Sequence, residues 1–249
     1  MINLYNLLKN SLRPWKQPLE NSLLIIIKIL GSGKVLSGPF QGLIMKQKFP
    51  TKPMLLGVWE KELSFIWDSL ENHEFIIDVG AAEGFYAVGL ARKYPNKKII
   101  AFEMNPTSKI LLEKTIKDNS VKNLEVFGKC EYQDLSKIHN KLRNSFIIMD
   151  CEGHELELLK NSEPSIFKKT HILVELHEMY AVGCTNILKR RFADTHQVSE
   201  IEGQHRSLSD WPSELSFLRF LFPQKLLLHF MDEGRPHPMN WLYMKPKSS

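Results

Sequence analysis

Residues 75–91, Phe-Ile-Ile-Asp-Val-Gly-Ala-Ala-Glu-Gly-Phe-Tyr-Ala-Val-Gly-Leu-Ala, constrain this chain more than any other stretch. An apolar run, Phe75-Ile76-Ile77, leads into Asp78. Gly80 and Gly84 follow, then an apolar pattern at helical spacing through Tyr86, Val88, Leu90 and Ala91. The order predicts a strand, a tight glycine turn and a helix, the opening of a nucleotide-binding α/β unit. Glycine lets backbone approach a ligand where a Cβ would clash, and a helix start offers N–H groups with no intrahelical acceptor. A second apolar run, Lys98-Ile99-Ile100-Ala101-Phe102, ends in Glu103. An acid roughly 20 residues after the turn suits hydrogen bonding to the two hydroxyls of a ribose.

The turn departs from the dinucleotide fingerprint G-x-G-x-x-G. Its spacing is Asp78-x-Gly80-x-x-x-Gly84, with Ala82 between the glycines. A carboxylate at the strand end repels a pyrophosphate and suits a cationic or zwitterionic ligand. S-adenosylmethionine is such a ligand, with an amino acid end, a sulfonium and a ribose. A lone glycine turn also serves as an ordinary βα loop, so the pairing with Glu103 is what points to a nucleotide-type site.

From Phe75 onward strand and helix alternate. Apolar runs predict strands over 75–79, 98–103, 123–127, 145–150 and 171–177, with helices near 84–94, 106–118, 132–142 and 154–168. Such alternation implies an α/β fold with a parallel, right-handed, doubly wound sheet. A helix over 185–193 and a strand over 195–201 follow. An insertion near 203–239, with Trp211, Phe217, Phe220 and Phe222, precedes a last strand over 240–244. Upstream, residues 1–52 read as an appendage with a hairpin over 34–48 around Gly38-Pro39-Phe40-Gln41-Gly42, and residues 53–249 as the main domain. A helix is expected after Pro53, with Leu55, Trp59, Leu63, Ile66, Trp67 and Leu70 on one face.

Composition excludes little. Apolar residues make up 43% and charged residues 24%, ordinary for a soluble globular protein. The formal charge of +5 is explained by lysines scattered through loops. Cys130, Cys151 and Cys184 lack metal-type spacing and cannot all pair, so they read as reduced thiols of a cytoplasmic protein. The apolar stretch 23–30 is interrupted by Lys28 and is far shorter than the ~20 residues of a spanning helix. It reads as an element packed on the main domain, and no membrane span is expected. Leu4, Leu7, Leu8 and Leu12, beside Lys9, Arg13 and Lys16, give the first residues a weak amphipathic character suited to a peripheral membrane contact.

The Asp-x-Gly-x-x-x-Gly turn resembles motif I of the class I methyltransferases, with Ala82 where many have a glycine. The resemblance sharpens at Phe146-Ile147-Ile148-Met149-Asp150-Cys151-Glu152-Gly153-His154-Glu155 and at Ile172-Leu173-Val174-Glu175-Leu176-His177. A strand ending in Asp-x-Glu-Gly-x-Glu, followed by a strand ending in an acid, is similar to the FkbM-type methyltransferases over about residues 60–178. The resemblance implies a Rossmann-like sheet closed by an antiparallel C-terminal strand. It also implies S-adenosylmethionine as cofactor, and O-methylation of a small molecule or saccharide. N- or carboxyl-methylation and a catalytically silent cofactor-binding or interaction module are the alternatives.

By this resemblance Asp78, Gly80, Ala82, Glu83 and Gly84 hold the methionine end. Asp78 meets the ammonium, directly or through water, and backbone N–H groups of the turn lie near the carboxylate. Glu103 accepts both ribose hydroxyls, Asn105 joins the cofactor-binding set, and Glu131 takes the place facing the adenine amine. Asp150 sits beside the sulfonium and the incoming nucleophile.

A sulfonium is an activated leaving group, so the protein must mainly align the nucleophile and take its proton. His177, Asp150 and Glu152 are the candidate bases, and His154 is as well suited to a helix cap. No resident metal is expected, although Asp150, Glu152, Glu175 and His177 end adjacent strands and offer a set of donors for a divalent ion. Arg206 and Arg235 are placed near the acceptor by position alone, while Glu60 reads as a surface carboxylate. The Asn/Asp-Pro-Pro-aromatic element of base-amine methyltransferases is absent after Asp150, so no nucleic acid partner is expected. The sequence leaves the oligomeric state open.

Overall fold

The structure is a computed structural model that describes residues 16–46, 51–138, 142, 144–162, 164–235 and 237–247. The amphipathic pattern through Leu4, Leu7, Leu8 and Leu12 lies outside the described residues. Two compact units emerge: residues to Trp59 with Arg206–Gly234, and Glu60–His205 with the chain from Arg235 onward.

In the first unit, α1 (Lys16–Gly31) contains the apolar stretch 23–30. Leu23 and Ile27 point inward and are buried with Leu56, Trp211, Leu227 and Phe230 of the same unit. No helix among the described residues is long and apolar enough to cross a membrane. The expected hairpin reduces to one antiparallel bridge, Lys34–Ile44, because the turn at Gly38–Gly42 takes up most of the intervening chain. Helix α2 (Lys52–Leu56) stops at Gly57, whose φ of 80° closes it in the left-handed region. Helices Leu218–Leu221 and Gln224–Met231 complete this unit.

The second unit carries the sheet. A helix continuing from Pro53 through Leu70 does not form, since Gly57 ends the first piece and Glu60 turns the chain again at φ 44°. A short 3-10 turn and α3 (Ser64–Trp67) take its place. Then β1 (Phe75–Val79), α4 (Phe85–Lys93), β2 (Lys98–Phe102), α5 (Pro106–Asp118) and β3 (Leu124–Phe127) alternate. The series continues with α6 (Tyr132–Lys137), β4 (Ser145–Met149), α7 (Glu155–Asn161), β5 (Thr170–Glu175), α8 (Cys184–Phe192), β6 (His196–Ile201) and β7 (Trp241–Pro246). The helix expected over 154–168 ends at Asn161 and gives way to a 3-10 turn beginning at Pro164, a residue that cannot continue an α-helix.

Sheet order is β3-β2-β1-β4-β5-β7-β6. Strands β1 to β5 are parallel, and β7 runs antiparallel to both β5 and β6. This is the Rossmann-like, mostly parallel sheet with a closing antiparallel strand that the sequence led one to expect. Strands β1 and β4 are almost wholly buried, as continuous apolar runs covered on both faces should be, whereas edge strand β3 alternates half-buried and exposed residues. Phe146, Phe167, Phe192 and Trp241 are fully buried around the sheet. The order reverses between β1 and β4. A crevice opens at the carboxyl ends of such strands in open α/β sheets.

Candidate active site

At that reversal lies a cleft of about 710 Å3. Of the residues singled out in the sequence, Gly80, Ala82, Glu103, Asn105, Asp150 and Glu152 line it; Asp78, Glu83, Gly84, Glu131 and His177 do not. Gly80 has φ +93°, and a Cβ there would lie 1.8 Å from the Asp150 carbonyl oxygen, so the chain ends of β1 and β4 touch through glycine. Gly84 serves packing instead: its missing Cβ leaves room for Leu112 and Val88, which such an atom would meet at 2.5 and 2.9 Å.

Asp78 lies beneath the turn, 1% exposed, and its Oδ2 is buried without a hydrogen-bond partner. Burial raises its pKa to about 7, with a backbone hydrogen bond from Ala87 opposing and the Glu103 charge adding to the rise. A carboxyl so placed is under-satisfied, and a cationic group is the partner that would relieve it. Glu103 is held open-handed: Oε2 accepts from the Ala82 N–H at 2.8 Å and Oε1 from the Asn105 N–H at 2.6 Å. Each carboxylate oxygen has a second lone pair to offer.

Most turn amides are already engaged. The Gly80 and Ala81 N–H groups donate to the Phe102 carbonyl, Ala82 to Glu103, and Gly84 to the Ala81 carbonyl. Asn105 caps α5, its Oδ1 accepting from Thr107 and Ser108 N–H groups at 2.9 and 3.2 Å. Glu131 opens α6 and pairs with Lys129 at 2.7 Å, and it is Lys129 that reaches the cleft wall.

Beside the cleft, the ends of β4 and β5 gather acids. His177 Nδ1 hydrogen-bonds Glu155 Oε1 at 3.0 Å. Its Nε2 faces Glu175 Oε2 at 3.3 Å, Glu152 Oε2 at 3.5 Å and Asp150 Oδ1 at 3.8 Å. Burial works against the charged imidazole, but the Glu155 hydrogen bond and the surrounding carboxylates outweigh it and leave His177 raised. Asp150 is pushed well above the usual carboxylate range, first by burial and then by Glu175.

Glu60, read from sequence as a surface acid, is 2% exposed. It accepts from the Tyr86 hydroxyl and pairs with Arg235 at 2.9 Å, while the same guanidinium donates to Glu175 Oε1. Arg206 is placed elsewhere: it pairs with Glu233, and both belong to the other unit. Glu155, Tyr86 and Lys129 carried no assigned role in the sequence. Glu155 alone had a visible signal, as the last acid of the Asp-x-Glu-Gly-x-Glu run.

No family profile matches the sequence, and no curated protein is significantly similar to it. Among solved structures, the O-methyltransferase TomG of Streptomyces achromogenes, in complex with SAM, is similar at 12% identity, over 77% of this chain and 82% of that one, with a TM-score of 0.49. A precorrin-6y C5,15-methyltransferase from Geobacter metallireducens is similar at 15% identity over 82% and 97%, TM-score 0.49. A putative O-methyltransferase from Klebsiella pneumoniae is similar at 10% identity over 76% and 80%, TM-score 0.48. With TM-scores below one half, these likenesses do not establish shared chemistry.

The geometry itself divides the cleft. One side offers Glu103; the other offers Asp150 and Glu152 with His177 behind them, while Asp78, buried with one unpartnered oxygen, lies outside the lining. Asp150 is the link, since it lines the cleft and also faces His177. His154, at the start of α7, lines the cleft too; its Nδ1 pairs with Glu157 at 3.0 Å and its Nε2 is buried without a hydrogen-bond partner. Such an arrangement can hold a cationic nucleoside-like ligand and accept a proton next to it.

Proposed function

We propose that this chain is an S-adenosylmethionine-dependent methyltransferase acting on a hydroxyl of a small molecule or saccharide. The observation that carries the reading is the orphaned Asp78 carboxyl oxygen under a glycine turn that meets the end of β4. An ammonium group, direct or through one water, satisfies it; a pyrophosphate does not. Glu103, already aligned by two backbone N–H groups, is the acceptor for ribose hydroxyls.

When bound, the cofactor supplies a methyl group on a sulfonium. The chain's own work is alignment and proton removal. Asp150 reaches the cleft and Glu152 lies at its exposed rim, while Glu155 orients His177 toward both. The proton of an acceptor hydroxyl passes to this group of His177, Asp150 and Glu152. The acceptor class rests on the resemblance of the Asp-x-Glu-Gly-x-Glu segment, and on the lack of the Pro-Pro-aromatic element that holds a flipped base.

Calorimetric titration with S-adenosylmethionine and S-adenosylhomocysteine, with NAD as control, tests the cofactor. Micromolar binding of the first two and none of NAD is expected. Asp78→Ala and Glu103→Ala should each weaken binding at least tenfold, about 1.4 kcal/mol. Unchanged affinity in both variants rejects the assignment. Cofactor binding without turnover across a broad hydroxyl panel would instead indicate a silent binding module.

A further inference from the structure

We infer that the first compact unit, residues to Trp59 with Arg206–Gly234, docks on an anionic lipid bilayer through the outer face of α1 and the short helix Leu218–Leu221. This inference is independent of the methyl-transfer reading. A helix advances about 100° per residue. Leu23 and Ile27 therefore share one side of α1, and that side packs into the core of the unit. Pro18, Ser22, Ile25 and Ile29 follow a line on another side, bordered by Leu19 and Leu30. Ile25 is 56% exposed and Ile29 70%, and Leu19 and Leu30 are exposed as well. The outer face of a surface helix ordinarily carries charged and polar residues. Apart from Ser22, this strip is apolar.

The helix Leu218–Leu221 repeats the arrangement. Leu218 is buried in the same core as Leu23 and Ile27, while Phe220 is 90% exposed and Phe217 and Leu221 are exposed beside it. Phe, Leu and Ile turned outward beside basic residues are the composition that enters the boundary between lipid headgroups and acyl chains.

Charge says which apolar surface fits. By sequence, the first unit holds eleven Lys and Arg against five Asp and Glu, whereas the second holds 22 against 23. The positive charge of the chain thus belongs to the smaller unit, which also presents the apolar strip. Two of its five acids are taken by other cations: Glu20 pairs with Lys52 and Glu233 with Arg206. Lys28, next to Ile29, and Lys34 are exposed, as are Arg219 and Lys225 on either side of Phe220 and Leu221. None of these four makes an ion pair among the described residues. In sequence, the residues just before α1 add Lys9 and Arg13 among Leu4, Leu7, Leu8 and Leu12. A bilayer rich in acidic headgroups attracts such basic groups and buries the apolar side chains between them. A second copy of the chain would bring like charge against like charge. A nucleic acid would meet the lysines and arginines but gain little from isoleucine and leucine, since its bases stack on aromatic rings.

The test is flotation of the full-length protein with vesicles of phosphatidylcholine alone or of equal parts phosphatidylcholine and phosphatidylglycerol. Binding at least tenfold tighter to the anionic vesicles is expected, weakened when salt is raised from about 0.1 M to 0.5 M. Ile25→Ser with Ile29→Ser, and Phe220→Ser with Leu221→Ser, should each lower the affinity at least tenfold. All four positions are exposed, so circular dichroism and the denaturation midpoint should stay as in the wild type. If either pair fails to fold, Lys28→Glu with Lys34→Glu takes its place, with the same expected loss. Absence of binding to both vesicles overturns the inference, as does equal binding to both or undiminished binding in the variants. Concentration-dependent dimerisation in sedimentation, lost in the Ile25 and Ile29 variant and unaccompanied by vesicle binding, overturns it in favour of self-association. Capture of a single-stranded oligonucleotide without vesicle binding overturns it in favour of a nucleic acid partner.

Discussion

Gly80 and Asp78 show how much one residue decides in this chain. A side chain at position 80 meets the Asp150 backbone at 1.8 Å, and the φ of +93° is strained for any L-residue. Gly80→Ala is expected to abolish cofactor binding or lower stability by about 1–3 kcal/mol, read by calorimetry and by chemical denaturation. Asp78 carries a pH signature. Its pKa in the folded chain is raised to about 7 from an ordinary value of 3.8. The folded state therefore holds the proton that the unfolded state gives up, and Asp78 makes stability fall as pH rises between those values. A bound ammonium favours the ionised form. S-adenosylmethionine affinity should accordingly tighten from pH 6 to pH 8, with proton release on binding below pH 7, measurable from calorimetry in buffers of different ionisation enthalpy. A flat profile would mean that Asp78 does not meet the cofactor.

Elements were legible wherever one local rule held. β1, β4 and β5 read correctly because strands buried on both faces are continuous apolar runs, and α5 fills the helix expected near 106–118, where the structure shows Asn105 as the cap and Pro106 as the first residue. Asn105→Ala should cost about 1 kcal/mol of stability, seen as a lower denaturation midpoint. The stretch 53–70 failed because its apolar spacing is helical while its backbone is not. Glu60 takes φ 44° without being glycine, and no residue type announces that. A further prediction belongs to the strands. His171 in β5 is pushed down to about 4, mainly by burial and secondarily by His73; burial also lowers His73 and His196. These rings fold neutral, so their contribution is complete above about pH 6.5 and is lost as pH falls toward 4. Thermal denaturation should show decreasing stability across that window, with a shallower slope in His171→Asn.

At the scale of the whole molecule, strand order places the site. Phe146, fully buried in β4, shows what holds that order: Phe146→Ala should cost about 3–5 kcal/mol, checked by urea titration. The sequence by itself determined the alternation of strand and helix, the turn that ends in Gly84, and the acids at the ends of β1, β2, β4 and β5. Those features come from burial period and turn chemistry, which are properties of neighbouring residues. Only the tertiary structure decided that Glu60, Tyr86, Glu175 and Arg235 meet, since they come from four distant segments. It likewise turned Glu60 from a surface acid into a buried one, moved Arg206 to a different pairing, and set His177 between Glu155 and three further carboxylates. The physical reason is that charge compensation in a buried cluster depends on which chain ends the sheet brings side by side, and no local sequence rule encodes that adjacency.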